Sequence, residues 1–448
     1  MSAYAELLAR LLPARRFGIV LGLDRIRALL DALGSPDTRL GTVIHVGGTN
    51  GKGSTVAMIA ALVRAGGLRV ATYTSPHLSS LRERIVIDGE LIAEAALVAA
   101  ADRVRAHGGD ELTFFEQLTA MACVAIADAH VDVSILEVGL GGRLDATNAI
   151  AAPIAVVTGV AMDHEAILGE TLAAIAAEKA GIFKPGQRIV IGVSGEPEAV
   201  PLLEQAAVHA QVSTITMIGS PDELQLDDAL ANLALTGMGP QPIRVVDESA
   251  LERVPPLGLA GAHQRRNAAA ALAALDQLAA LGVLRLDTTT RARALAGVVH
   301  PGRFEVIAGE PPIILDGAHN PHGAAALAAT LRERDLRPVA ILAVSADKDV
   351  RSIIRELAPA VSAFVATRYQ LERALDPAAL AAVIEEATSV PVETAADLAA
   401  ADTLARTHAA PILVAGSLFI VGEARVRYLD APADPIAVSD PSASARQD

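Results

Sequence analysis

Between His45 and Leu62 the chain reads HVGGTNGKGSTVAMIAAL. Gly47, Gly48, Gly51 and Gly53 crowd around a single cation, Lys52, and an apolar helical run follows. A loop of this composition can turn backbone N–H groups and a helix N-terminus toward a phosphate, with the lysine as an added point charge. The chemistry on offer is nucleotide binding. The usual phosphate loop runs G-x-x-x-x-G-K-[ST]. Here Val46 stands at the first glycine position, and Gly53 separates Lys52 from Ser54. From these residues alone two readings stay open, a nucleotide cradle or a glycine-rich strand-to-helix turn.

Further along, Ile135-Leu136-Glu137-Val138-Gly139 puts a carboxylate at the end of an apolar run. In nucleotide-binding α/β sheets ligands sit at the carboxyl edge of the strands, where an acidic side chain can hold Mg²⁺ beside phosphates. A glutamate emerging at a strand end is also an ordinary feature. The loop GLGGRLDATN over 139–148 either offers Arg143, Asp145 and Asn148 to a substrate or is a plain surface loop. Asp163-His164 follows another apolar run, and its imidazole either completes a cation site near Glu137 or is a polar loop residue. Lys179 precedes Ala180-Gly181, where a cation is favourable with the helix dipole and glycine suits the position after the helix. In the second half, Arg303 of HPGRFE could reach a transferring phosphate, and Asp316 of LDGAHNP could hold a ribose or a cation. Each, taken singly, is also an ordinary surface residue.

These groups need a scaffold that brings them to one edge. Strand-like and helix-like segments alternate, which predicts an α/β fold with a mainly parallel sheet. The first set of strands is expected over 43–46, 68–73, 131–138, 154–158 and 188–191, with helices over 54–65, 93–106, 114–129 and 172–180. Residues 211–257, rich in proline and glycine, read as broken and hairpin-like. An alanine-rich helix is expected over 263–280 and another over 288–296. A second alternating set has strands over 313–315, 339–344, 363–366 and 412–415. The boundary between the sets falls between about Thr290 and Pro301, and the Pro-, Ser- and Asp-rich residues 431–448 read as a mobile tail.

Bulk composition limits the function classes. A chain of 448 residues exceeds one ordinary core, so two domains are the default. It is 52% hydrophobic and only 20% charged, which suits large buried cores, while 2% aromatic content leaves few stacking platforms for nucleic acid. A net charge of −15 argues against a general polyanion binder. The single cysteine, Cys123, lies in an apolar helical run and reads as a buried small hydrophobe. The longest apolar run, 149–162, is too short to span a bilayer and contains Pro153 and Gly159, and the N-terminus lacks a signal-peptide pattern. A cytoplasmic protein with neither a nucleic-acid nor a membrane partner is expected.

Taken in order, a longer set of segments resembles the Mur-ligase superfamily and, within it, the bacterial bifunctional dihydrofolate synthase/folylpolyglutamate synthase family. The segments are GTNGKGS at 48–54, TSPHL at 74–78, ERI at 83–85, TFFE at 113–116, LEVGLGGRLDATN at 136–148 and DH at 163–164. They continue with EKAGIFKPG at 178–186, HPGRFE at 300–305, LDGAHNP at 315–321, DKD at 347–349 and AGSLFIVGE at 415–423. Small departures are Gly47 where alanine often precedes GTNGKGS, and Ser345-Ala346 before DKD where an apolar pair is usual. The resemblance implies a P-loop-type ATPase domain over 1–296 and a smaller Rossmann-like glutamate-ligase domain over 297–430. It implies ATP-driven amide-bond formation: a carboxylate of dihydropteroate or of a folate becomes an acyl phosphate, which the amine of L-glutamate displaces.

By the same resemblance Thr49, Asn50, Gly51, Lys52, Gly53 and Ser54 cradle the ATP phosphates. Asn267 lies on the adenine side, while Arg303 and Asp316 contact ATP. Ser75, Glu137 and His164 match metal positions for two Mg²⁺ ions, with Lys179 as a carbamate. That assignment replaces the helix-end reading of Lys179, since a carbamate turns an ammonium into a carboxylate-like ligand. Lys179, His319 and Arg303 are the implied catalytic groups, with His319 and Ser417 toward glutamate. The pterin end is expected at Thr113, Phe114, Phe115, Glu116, Leu144, Asp145 and Ala146. Asp145-Ala146 resembles members able to make dihydrofolate, so both activities are expected, on dihydropteroate and on reduced folates. A monomer is implied. The competing readings are an enzyme that only extends the folate tail, a ligase of peptidoglycan precursors, a P-loop NTPase switch, and a folate-binding relic without activity.

Overall fold

The computed structural model describes residues 1–17, 20, 22–219, 243–246 and 256–440. Two sheets organise them. The first contains β1 (Thr42–Gly47), β2 (Val70–Tyr73), β3 (Ile85–Ile87), β4 (Glu90–Leu91), β5 (Val133–Glu137), β6 (Ile154–Val157), β7 (Arg188–Ile191), β8 (Thr214–Ile218) and β9 (Ile243–Val246). Their order is β4-β3-β2-β5-β1-β6-β7-β8-β9. All pairs are parallel except β2 with β3 and β3 with β4. The second sheet contains β10 (Glu305–Ile307), β11 (Ile313–Leu315), β12 (Val339–Leu342), β13 (Ala363–Ala366), β14 (Val392–Thr394) and β15 (Ile412–Ala415). Its order is β10-β11-β15-β12-β13-β14, parallel except for β10 with β11.

Strands covered on both faces need apolar residues at every position, which is why they read as continuous β-branched runs. On β1, Ile44 and Val46 face the helices Lys52–Ala65 and Ala262–Ala280, while Val43 faces the helix Phe114–Ala129. Ala268, Ala271 and Ala274 are fully buried, so the alanine-rich helix packs closely against its neighbour. Cys123 lies in the same core as Val43, reduced and buried. The second sheet is likewise sandwiched, with Ile314 and Leu342 on one side and Leu315 and Ile341 on the other. No helix among the described residues is long and apolar enough to cross a membrane.

Two expectations need correction. The 211–257 region is not a hairpin where it is described, because β8 and β9 pair in parallel; residues 220–242 and 247–255 lie outside the described residues. The segment read as a mobile tail is anchored over its first ten residues. There the Asp434 carboxylate accepts from Tyr4 Oη at 2.7 Å, Ser80 Oγ at 2.8 Å and the Leu81 amide at 2.7 Å. Val438 is buried in the N-terminal core. Its composition looks like a tail because the partners of those carboxylates lie more than 350 positions away. Residues 441–448 lie outside the described residues.

The topology fixes where ligands can go. From β1 the chain passes to β2 on one side, returns to place β5 beside β1, then moves to β6 on the other side. Such a reversal opens a crevice at the carboxyl ends of the central strands. Gly48 follows β1, Ser75 lies just past β2, Glu137 ends β5, and Thr158 follows β6.

Candidate active site

The glycine-rich loop is tied down from the side of β6. Thr49 N–H donates to Gly159 O at 2.9 Å, its hydroxyl bridges the Ala161 amide and carbonyl, and Thr158 Oγ1 donates to Asn50 O at 2.6 Å. Gly51 opens the helix Lys52–Ala65 with φ +82°, and a Cβ there would come within 2.3 Å of Asn267 Oδ1. The departure from the usual phosphate loop also has a steric reason. A Cβ at Gly53 would lie 2.8 Å from His300 Nε2, with a Glu137 oxygen at 3.8 Å. Gly53 is therefore the point where the HPGRFE segment and the Glu137 carboxylate both approach the backbone. Val46 is buried in β1 and belongs to the strand. Lys52 Nζ donates to Thr49 O at 3.2 Å, holding its charge over the loop, and Ser54 accepts from Gln264 Nε2 at 3.3 Å.

Behind the loop sits a cluster of buried ionisable groups. Glu137 Oε2 accepts from the Ser75 amide at 3.3 Å. Burial pushes its carboxyl pKa up, against the opposing charges of Lys52 and Arg303. Lys179 is 5% exposed, at the end of the helix Leu172–Ala180, and donates to Gly48 O at 3.2 Å. Burial, with Lys52 close by, lowers its pKa to about 7. His164 stands at the N-terminal cap position of the preceding short helix Glu165–Leu168 without a side-chain capping bond, and desolvation lowers its imidazole pKa to about 4. Among the described residues, no three His, Cys, Asp or Glu side chains gather so as to hold a metal unaided. That donor set suits Mg²⁺, which is held by one or two carboxylates together with waters and nucleotide phosphates. A buried Glu137 that forms no salt bridge among the described residues, beside a hydroxyl residue, fits this use. The unmodified Lys179 ammonium would repel a cation there; its carbamate would not.

The second sheet faces this cluster across the cleft. Asp316 holds the HPGRFE turn by accepting from the Phe304 amide at 2.8 Å and the Ala318 amide at 2.9 Å, while Glu305 accepts from the Gly302 amide at 2.8 Å. This turn carries Arg303 over Gly317, where a Cβ would meet its guanidinium at 2.5 Å. His319 Nδ1 donates to Gly317 O at 2.7 Å, leaving Nε2 as the acceptor of a neutral ring. Burial, then Lys348, holds its pKa at about 4. Asn320 caps the helix Pro321–Glu333 and also donates 3.1 Å bonds to Asn50 Oδ1 and Asp163 Oδ2. Lys348 Nζ pairs with Asp163 at 3.3 Å. Asp163 thus joins both halves. Burial alone would raise its pKa, but His164, Lys348 and His319 together hold it below the usual carboxylate range.

At the other end, Thr113 and Glu116 form a capping box for the helix Phe114–Ala129, and Glu116 also accepts from Arg25 at 2.7 Å. Phe115 lines the cleft with Leu144 and Ala146. Phe114 does not. It is fully buried beneath the Arg84 guanidinium, 5.6 Å from ring centre to carbon, because the first helical position points inward. Phe114→Ala is therefore expected to cost about 3–5 kcal/mol of stability in urea unfolding while leaving substrate KM values of the folded protein unchanged. Asp145 also lines the cleft, yet both its oxygens serve its own loop. Oδ2 accepts from the Gly139 and Leu140 amides at 3.0 Å, and Oδ1 from Thr147. Ser417 caps the helix Leu418–Leu429 and faces the same cleft.

One cleft of about 400 Å³ thus gathers the sequence-expected site residues except Phe114, Arg143 and Asn148; Arg143 instead pairs with Glu178, and Asn148 donates to the carbonyls of Arg143 and Gly181. Asp163, Asn320 and Lys348 are the bridging residues that the sequence reading did not assign a role. Their signal was the polar density of the DH, LDGAHNP and DKD segments. Nothing in the spacing showed that they meet.

Comparison with known proteins agrees with this geometry. Residues 46–275 match the Mur ligase middle domain, and residues 302–418 match the Mur ligase, glutamate ligase domain. Fold and site define an ATP-dependent, amide-forming ligase of the Mur class. Within it, the chain belongs to the dihydrofolate synthase/folylpolyglutamate synthase family. It is 38% identical over 450 residues to the dihydrofolate synthase/folylpolyglutamate synthase of Mycobacterium tuberculosis, covering 91% of this chain and 90% of that one. It is 36% identical to a Haloferax volcanii protein whose name joins a folylpolyglutamate synthase to a dihydropteroate synthase. That match covers 95% of this chain but spans only 50% of the longer relative. Among solved structures, the M. tuberculosis folylpolyglutamate synthase complexed with ADP superposes with TM-score 0.81 at 35% identity, covering 95% of this chain and 98% of that one. A bifunctional folylpolyglutamate synthase/dihydrofolate synthase with Mn, AMPPNP and L-glutamate bound gives TM-score 0.74 at 28% identity, covering 92% and 95%.

Proposed function

We propose that the protein couples L-glutamate to the carboxylate of dihydropteroate and to the terminal carboxylate of reduced folates, at the expense of ATP. The observation that carries this reading is the single cleft in which the Gly48–Ser54 loop, Glu137 and Lys179 face Arg303, Asp316 and His319. A phosphate cradle facing an arginine and an imidazole from a second sheet suits transfer of a phosphoryl group to a carboxylate.

The loop amides, Lys52 and Ser54 hold the phosphates, with Thr49 and Asn50 fixing the loop. Asn267 sits toward the base, and Asp316 with Arg303 closes over the nucleotide. The acceptor carboxylate oxygen attacks the γ-phosphorus, the bond to the β-phosphate oxygen breaks, and ADP leaves. The glutamate amine nitrogen then attacks the acyl carbon; the acyl C–O bond breaks, and phosphate departs taking up the proton that the amine gives up. Neutral His319 accepts a hydrogen bond from the attacking amine through Nε2, with Ser417 beside it. Ser75, Glu137, His164 and a carbamylated Lys179 are the residues that would hold two Mg²⁺ ions, which neutralise phosphate charge when bound. Phe115, Leu144 and Ala146 give the pterin an apolar seat, and Asp145 shapes its loop. Nucleotide, acceptor and amino-acid ends all come from one chain, in keeping with an expected monomer.

Hydroxylamine offered in place of glutamate tests the acyl phosphate. With ATP, Mg²⁺ and dihydropteroate, the expected product is the hydroxamate. ADP release without hydroxamate would contradict the reading and favour a nucleotide hydrolase.

A further inference from the structure

A strap over residues 431–440 leaves the end of the helix Leu418–Leu429 and crosses to the first half of the chain, where it covers the segment Ser75–Arg84 between β2 and β3. Asp434 is held there by Tyr4, Ser80 and Leu81. Its amide donates to Ser79 O at 3.0 Å, and Ser79 Oγ donates to Pro432 O at 2.8 Å. Further along, Val438 O accepts from His77 Nε2 at 2.6 Å. His77 Nδ1 accepts from Arg84 Nε at 2.9 Å, and Arg84 Nη2 donates to Asp440 at 2.6 Å. The imidazole thus accepts at one nitrogen and donates at the other, an arrangement only a neutral ring can make. Arg84 is 1% exposed, so Asp440 compensates a charge cut off from water.

The same segment is held from its other side by the second half of the chain. Leu78 packs on the core that contains Leu315 and Val421. A Cβ at Gly422 would fall 2.1 Å from Leu78 O, so helix and loop meet backbone to backbone. At the start of the segment stands Ser75, whose amide donates to Glu137 Oε2 at 3.3 Å. Ser75, Glu137 and Asp440 all line the cleft, whereas Arg84 is buried and does not. Burial pushes the Glu137 carboxyl pKa up, and Arg84 is among the cations, after Lys52 and Arg303, whose charge opposes that rise. The Arg84 guanidinium is therefore within electrostatic reach of this carboxylate.

We propose that the strap is a positioning clamp for the cation side of the active site, acting through the hydrogen-bonded series Val438, His77, Arg84 and Asp440. Val438 and Asp440 fix His77 and Arg84, and so hold Ser75 against Glu137. Asp440 also cancels the guanidinium charge that a cation beside Glu137 would otherwise meet. The inference rests on the reading of Ser75 and Glu137 as groups that hold a divalent ion. Removing the Asp440 charge acts twice in one direction. It frees the segment that carries Ser75, and it leaves a buried guanidinium uncompensated near a second cation, which it repels.

The test is metal-dependent nucleotide binding, read by calorimetry without turnover. A non-hydrolysable ATP analogue is titrated into the full chain with Mn²⁺ and again in EDTA. The ratio of the two dissociation constants measures how far the metal tightens the nucleotide. Asp440→Asn is expected to cut that ratio about tenfold, the effect of losing a partner that orients a metal ligand, with the EDTA value unchanged. Asp440→Glu, which keeps the charge, is expected to restore it. Urea midpoints measured alongside show whether each variant is folded. If Asp440→Asn does not fold, Asp434→Asn decides, because it loosens the strap but keeps Asp440; it too is expected to lower the ratio. An unchanged ratio in the deciding variant, even with a lower urea midpoint, would overturn the proposal and leave the strap a structural tie. A wild-type chain whose nucleotide affinity ignores Mn²⁺ would instead contradict the metal reading itself, and the inference with it.

Discussion

Lys179→Ala is expected to lower the turnover of ligation about 10³-fold while ATP binding changes little. The lysine sits 5% exposed behind the phosphate loop, and its link to that loop is one hydrogen bond to Gly48 O. Such a bond contributes about 1 kcal/mol, too little to control nucleotide affinity. The amine itself is unusual. Burial and Lys52 bring its pKa to about 7, so at pH 8 it is mostly neutral and able to add to CO₂. A carbamate there would supply a further carboxylate beside Glu137. The sign of the pH effect follows. Below pH 7 the ammonium form dominates and carbamate formation declines; above it the free amine dominates and formation rises. ¹³C NMR of the protein in ¹³C-bicarbonate should show a carbamate signal at pH 8 that fades through pH 7 and is missing from Lys179→Ala. Normal turnover by the alanine variant would remove Lys179 from the reaction.

Lys52→Ala is expected to weaken ATP about 100-fold, the size of a lost charge-assisted phosphate contact. Lys52 opens the helix whose first amides have no intrahelical acceptor, and its Nζ is held over the loop by Thr49 O. Its removal leaves the loop fixed, because Thr49 and Asn50 are tied to β6 and its following loop through Thr158, Gly159 and Ala161. The urea midpoint should therefore barely move while the ATP dissociation constant rises. Equal ATP binding by both proteins would mean that the helix N-terminus alone holds the phosphates.

The central strands were legible because burial on both faces demands continuous apolar runs, as in Thr42–Gly47 and Val133–Glu137. The edges were not. β4, β10 and β14 are two or three residues long and largely unburied, so no period shows. β8 is apolar enough to read as a strand, but the proline- and glycine-rich stretch after it obscured the pattern. The site was legible as separate polar segments. What joined them was sheet topology, which brings residues 48–54, 75, 137 and 158–164 to one edge although they are far apart in the chain. Lys179 looked like a helix-end cation because nothing local marks its burial; only the resemblance changed that reading. Phe114 and Phe115 are neighbours of the same type, and only the packing of their helix separates a core residue from a cleft residue.

The most direct test of the central claim is a product balance. The protein is incubated with ATP, Mg²⁺ and L-glutamate, and with dihydropteroate or tetrahydrofolate as acceptor, and the products are resolved by mass spectrometry alongside ADP. The account expects ADP only when both acceptor and glutamate are present, matched one for one by an acceptor heavier by one glutamyl residue, with each acceptor. Product from tetrahydrofolate alone would restrict the activity to tail extension. ADP formed without any amide product would contradict the account.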